Sequence, residues 1–210
     1  CHRLSRSVAF VRGEVFQEGS DEAVAAVNAT FMLSTANVRR HDVPASASAT
    51  PRADVANPAD GEAAAPTPWH GELAVTQAVS PYAAFLGIER QVSTDGQEGD
   101  VYRMPFKPEL IGNPMLPALH GGVVAGFAET AALLHLIFTN SQAPGSEVSS
   151  PRGVDFAIDY LRSAKPIDTF ARCTTIRQGS RVALVHVTVW QDDPSRPIVS
   201  ARSHCLLPRT

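Results

Sequence analysis

From Val123 to Phe138 the chain reads VVAGFAETAALLHLIF, sixteen residues broken by one acid and one histidine. The length of this run favours a helix over a strand. Its apolar residues fall on nearly every side, so the helix must be buried all round and the fold must wrap it. Glu129 sits in the middle. A carboxylate there is costly to desolvate, and proteins seldom keep one without a partner or a task. The run is entered through His120-Gly121-Gly122, with Pro114 and Pro117 just upstream. Two glycines let a ligand approach the first free N–H groups of the helix closely. Those donors and the helix dipole favour developing negative charge. One element therefore offers an oxyanion site at its start and a carboxylate two turns along.

This pattern resembles the hotdog-fold acyl-CoA thioesterases, in the branch shared by phenylacetyl-CoA-type and 4-hydroxybenzoyl-CoA thioesterases. That family carries His-Gly-Gly at the start of its central helix and Asp or Glu at the position of Glu129. Residues 152–162, RGVDFAIDYLR, look like its strand ending in an aromatic, Leu, Arg run, and 170–207 like its last two long strands. The resemblance covers roughly 70–208. It implies an α+β hotdog fold, a long central helix wrapped by a curved antiparallel sheet, and hydrolysis of acyl-CoA thioesters. It also implies roles. Gly121, with Gly122, holds the oxyanion, and Glu129 is general base or nucleophile. His120 fixes the loop–helix junction. Asn113 matches the family's upstream Asn or Gln, although it stands seven residues before His120 where six is usual. Leu133 occupies a position where a Ser or Thr often holds water, and Thr130, about 100° around the helix, is a poor substitute. Arg162 is a candidate for a CoA phosphate. Val123, Phe127, Tyr82 and Phe85 are candidates for the acyl pocket.

Residues 6–17, RSVAFVRGEVFQ, repeat residues 180–191, SRVALVHVTVWQ, and Val27 and Ala29 fall on Val199 and Ala201 after a gap differing by two residues. Both copies alternate as strands do and both contain a polar turn. Such self-similarity suggests duplication. Residues 1–35 are thus expected to be the last hairpin of a first hotdog domain, 36–68 a linker, and 69–210 a complete domain. The linker's 33 residues include 10 Ala and 5 Pro, a composition that cannot bury enough surface to offset its ordering entropy. The chain opens on Cys1 without a Met, and the next residues already read as a strand. That favours a piece of a longer chain over a lipidated terminus.

Composition bounds the rest. Hydrophobic residues make up 44% and charged residues 19%, as in globular proteins. A net charge of −3 gives no reason to expect nucleic acid. Three cysteines, Cys1, Cys173 and Cys205, form no even framework, so a reducing, cytoplasmic setting is expected. No signal peptide is read, and no stretch reaches the length of a membrane span once Glu129 and His135 are counted. His135, His186 and His204 lack metal-ligand spacing, and no cofactor is expected beyond the CoA of the substrate. Eight residues separate Gly121 from Glu129, about 12 Å along a helix. One carbonyl cannot touch both, so the site is expected between two antiparallel helices, from a second hotdog domain or a homodimer, with higher oligomers open. The competing readings are an acyl-CoA-binding or assembly module with an idle site, and a hotdog hydratase or dehydratase.

Overall fold

A computed structural model describes residues 3–4, 8–32, 80–92, 99–113, 116–140 and 150–208. The expected linker, 36–68, lies outside them. The chain divides into two compact units, Cys1–Gly61 and Glu62–Thr210.

The first unit contains β1 (Arg3–Leu4), β2 (Val8–Phe16) and β3 (Ala23–Met32), an antiparallel sheet in that order. Ala9, Val11, Gly13 and Val15 pair with Phe31, Ala29, Val27 and Ala25, so one face is wholly apolar. The other carries Arg12, Glu14, Asn28 and Thr30, with an Arg12–Glu14 ion pair at 3.1 Å. Val15, Val27 and Phe31 are all more than half exposed.

The second unit is built around one helix. α1 (Pro81–Leu86) is capped by Ser80, whose Oγ accepts the Ala83 N–H, and ends at Gly87 in the left-handed region. After β4 (Glu89–Gln91) and β5 (Val101–Met104) comes a 3₁₀ turn, Pro108–Leu110, followed by a small hairpin of β6 (Ile111–Asn113) and β7 (Leu116–Leu119). These strands are three and four residues long and carry two prolines' worth of turn signals, too short for periodicity to reveal. Then come α2 (Gly121–Asn140), β8 (Arg152–Tyr160), β9 (Thr169–Gln178), β10 (Val182–Trp190) and β11 (Val199–Leu206).

The large sheet is antiparallel in the order β4-β5-β9-β10-β11-β8. α2 packs on β8, β9, β10 and β11. Ala183, Val185, Val187 and Val189 alternate inward from β10 and are fully buried, together with Phe127, Ala128, Ala131, Leu134 and Leu136 of the helix. This is the expected α+β arrangement. By length and mean hydropathy (1.6) α2 is apolar enough to cross a bilayer, contrary to the expectation above. Here its apolar surface is covered by the sheet.

One further expectation is corrected. Val11 pairs with Ala29 and Val185 with Ser203, so the matching position for Ala29 is Ser203, two residues from Ala201. The shift is even, so the same faces still correspond. Cys173 and Cys205 are buried on β9 and β11, with β10 between them, opposite Val187 and Ala183.

Phe127 is the largest helix side chain with no exposure at all. Phe127→Ala is expected to lower stability by about 3–5 kcal/mol, measured by urea unfolding.

Candidate functional site

The short hairpin places the helix start. The His120 N–H donates to the Leu110 carbonyl at 2.9 Å, and the His120 carbonyl accepts from Val123 and Val124. His120 is therefore the N-cap, and Gly121 the first helical residue. The ring lies against Gly112 of β6, where any Cβ would stand 2.6–2.9 Å from His120 atoms. Held there, Nδ1 accepts the Gly122 N–H at 3.0 Å. An Nδ1 that accepts leaves the ring proton on Nε2. This corrects the expected pair of oxyanion donors. Gly122 is committed to His120, and Gly121 is the N–H with no acceptor among the described residues.

Gly121 lines a cavity of about 370 Å³ together with Leu119, Val124, Tyr160, Leu161 and Arg162. The Tyr160 hydroxyl donates to the Gly121 carbonyl at 2.7 Å, and burial raises its pKa. The Leu161 and Arg162 N–H groups both donate to the Ile198 carbonyl, so the strand end is tied down. Arg162 is itself exposed, as a contact to a solvated phosphate requires. Nearby, Asp193 is held below the usual carboxylate range by hydrogen bonds from Ser195, with Arg196 and Arg162 adding to the effect.

Glu129 is half-buried and points elsewhere. Its Oε1 lies 2.9 Å from where a Cβ on Gly153 would stand. Gly153 pairs with Cys205, whose thiol pKa is raised by burial, opposed by a Ser203 hydrogen bond and helped by the Glu129 charge. No described residue forms an ion pair with Glu129. Within one copy, the structure does not bring Glu129 to Gly121, and Glu129 does not line the cavity.

The remaining candidates divide. The Thr130 hydroxyl is buried and donates to the Gly126 carbonyl at 2.6 Å, so it serves the helix. Phe127 lies in the core and Val123 packs on it. Neither lines the cavity, and Val124 supplies the helix wall instead. Asn113 ends β6, with its side chain outside the description. Leu133 packs on the core. Tyr82 and Phe85 stack at 6.1 Å, half-exposed, with the Tyr82 hydroxyl against Gly126. Tyr160 and Gly153 were missed as individual residues. The Tyr-Leu-Arg run and a glycine inside an alternating strand were the available signals.

At the far end of α2, His135 Nε2 is 2.9 Å from Thr175 Oγ1. Arg90 pairs with Asp100 at 2.6 Å and lies 4.0 Å over the Phe138 ring. His186 and His204 are likewise engaged, with Ser200 and Asp155. No group of three potential metal ligands exists among the described residues. Burial lowers the His135 pKa, Arg90 adding and Asp100 opposing. The unfolded chain then takes up this proton first. The resulting stability is present above about pH 6.5, the unfolded value, and is lost as pH falls towards the folded value. The urea midpoint is expected to drop more steeply below pH 6.5 in the parent than in His135→Gln.

Residues 116–198 match the thioesterase superfamily model. Among solved structures, a protein from the thioesterase superfamily is 25% identical, covering 65% of this chain and 98% of its own, with a TM-score of 0.55. A thioesterase from Haemophilus influenzae is 22% identical over 66% of this chain and 91% of its own (TM-score 0.54). A Bacillus halodurans protein solved with CoA is 22% identical over 66% and 87% (TM-score 0.51). The last two likenesses show the fold, which is the hotdog fold. No curated protein matches the chain.

Proposed function

Since residues 116–198 match the thioesterase superfamily model, we propose that the chain hydrolyses acyl-CoA thioesters, at a site completed by two hotdog domains. The observation carrying this reading is the pair of uncommitted groups on α2: the Gly121 N–H, opening on a cavity, and the Glu129 carboxylate, in no ion pair among the described residues. They lie about 12 Å apart on one helix.

The layout of β8 suggests how they meet. Its Tyr160 end is bonded to Gly121, and its Gly153 end lies against Glu129. β8 is also an edge of the sheet, with Val154 and Tyr160 more than half exposed. Exposed strand edges are templates for pairing. Antiparallel pairing of two such edges about a two-fold axis sets the Gly153 end of one beside the Tyr160 end of the other. Each Glu129 then approaches the other copy's Gly121 N–H.

In that site the Gly121 N–H polarises the thioester carbonyl and holds the oxyanion. Glu129 either takes a proton from the attacking water or attacks to form a mixed anhydride that water then opens. Collapse breaks the C–S bond, and the CoA sulfur leaves and gains a proton. The products are the free acid and CoA. His120 keeps Gly121 aimed by occupying Gly122. Arg162 at the cavity rim suits a CoA phosphate.

The first unit enters this reading as a relic of a paired architecture. Its apolar face has the residue pattern that β10 and β11 bury against α2, which supports residues 1–35 as the last hairpin of another hotdog domain. The partner of the complete domain is then either that domain or a second copy of the chain. A reducing cytoplasmic setting completes the proposal.

Release of free thiol from a panel of acyl-CoAs tests the activity. Glu129→Gln is expected to lose at least about a hundredfold; unchanged release removes Glu129 from the mechanism. Acyl-CoA binding without thiol release indicates a binding module, and hydration of an enoyl-CoA a hydratase. Gly121→Pro deletes the proposed donor at a helix position that tolerates proline, with an expected loss of about 10²–10³ in kcat. If sites are shared between copies, unfolding and refolding the two inactive variants together restores about a quarter of the parent activity, by random pairing of an isologous dimer. No restoration means that the site is completed within one chain.

A further inference from the structure

Resting on the hydrolase reading, we propose that Gly153 is a positioning residue, a slot in the edge strand that sets where the Glu129 carboxylate lies. A glycine inside a strand weakens it and needs a reason. Backbone conformation supplies none here. Gly19, Gly87 and Gly99 have positive φ, and Gly153 does not. Space supplies one. A Cβ on Gly153 would stand 2.9 Å from Glu129 Oε1, closer than real Cβ atoms come to a neighbour, and it would meet nothing else within 4 Å but the Cδ of the same carboxylate, at 3.9 Å.

The strand is shaped around the same point. His204 pairs with Asp155 and Cys205 with Gly153, so Val154 is an extra residue in β8. Such a bulge bends the strand and re-aims its neighbours. Gly153 sits at this bend, and Val154 is turned out, 61% exposed. The carboxylate therefore lies over bare backbone. The slot also bears on Leu133, one turn further along α2, which can offer Glu129 no hydrogen bond. Where a hydroxyl helper is missing, shape does the placing, and both carboxylate oxygens stay available to water or thioester.

The experiment is a cycle of Gly153→Ala, Glu129→Asp and the double variant, with kcat and KM for the acyl-CoA that the parent cleaves fastest, and a crystal structure of Gly153→Ala. In Gly153→Ala the carboxylate is expected to leave the slot, with kcat falling at least about tenfold, since displacements near 1 Å cost up to 10²-fold. KM should stay within about twofold, because binding contacts are intact. The shorter Asp withdraws from the slot, so adding Gly153→Ala to Glu129→Asp should cost less than about threefold. That background also carries the change if the single variant folds poorly. A carboxylate unmoved in the crystal, or losses that multiply in the double variant, overturns the proposal. A parent with no thiol release overturns the hydrolase reading instead, while the crystal structure still decides the slot.

Discussion

Burial of α2 is the constraint on which the second unit depends. A helix apolar on almost every side gains from water exclusion all round, at about 25 cal/mol per Å² of apolar surface. A helix partner would cover one stripe of it. A sheet of six strands can cover most of it, and the inward residues of β10 supply a continuous wall of Ala and Val. Small inward residues matter here, because they let the strands come close to the helix. The same demand explains why α2 passes a test of length and hydropathy for crossing a membrane. A core helix surrounded by protein and a helix surrounded by lipid solve one problem with one composition.

Burial on most sides leaves few places for polar chemistry on such a helix. Its ends are one, because the first N–H groups have no partners within the helix. The strip facing the sheet's edge is the other. Gly121 uses the first and Glu129 the second. At the start, three local devices divide the free donors. Gly112 makes room for the His120 ring, His120 Nδ1 takes the Gly122 N–H, and Tyr160 fixes the Gly121 carbonyl. What remains is a single N–H beside a cavity. A lone, well-aimed donor in a restricted site gains more from developing charge than the same donor in water.

Much of this was legible in the residues. The apolar run dictated a buried helix, and the alternation in 180–191 marked a strand within two residues of β10. His-Gly-Gly marked the start of α2, and Glu129 the acid in its middle. The division of labour between Gly121 and Gly122 was not legible, because it depends on a histidine rotamer held by a glycine eight residues upstream. The β6–β7 hairpin was hidden by its brevity. Of the pocket candidates on α2, neither Val123 nor Phe127 lines the cavity, and Val124 does. On a helix, one step in sequence is about 100° of rotation, and that step places Val124 at the cavity and Phe127 in the core. The repeat carries a two-residue slip, because its side chains match at Ala201 while its pairing register matches at Ser203. Its even parity kept the faces right.

Geometry within one copy sets a limit that side-chain motion cannot remove. A glutamate reaches only a few ångströms from its Cα, and two helical turns separate its Cα from the Gly121 N–H. Extending the side chain along the helix would also pull the carboxylate out of its place over Gly153. Under the proposed mechanism a single domain thus presents two half-sites beside the same edge strand, in opposite order along β8, and two-fold pairing would make both halves useful at once. The same arithmetic holds whether the second half comes from another copy or from a duplicated domain in the chain. In the duplicated case, each site needs only one good carboxylate and one good amide, so a partner domain could lose half of its own equipment without silencing the site it completes.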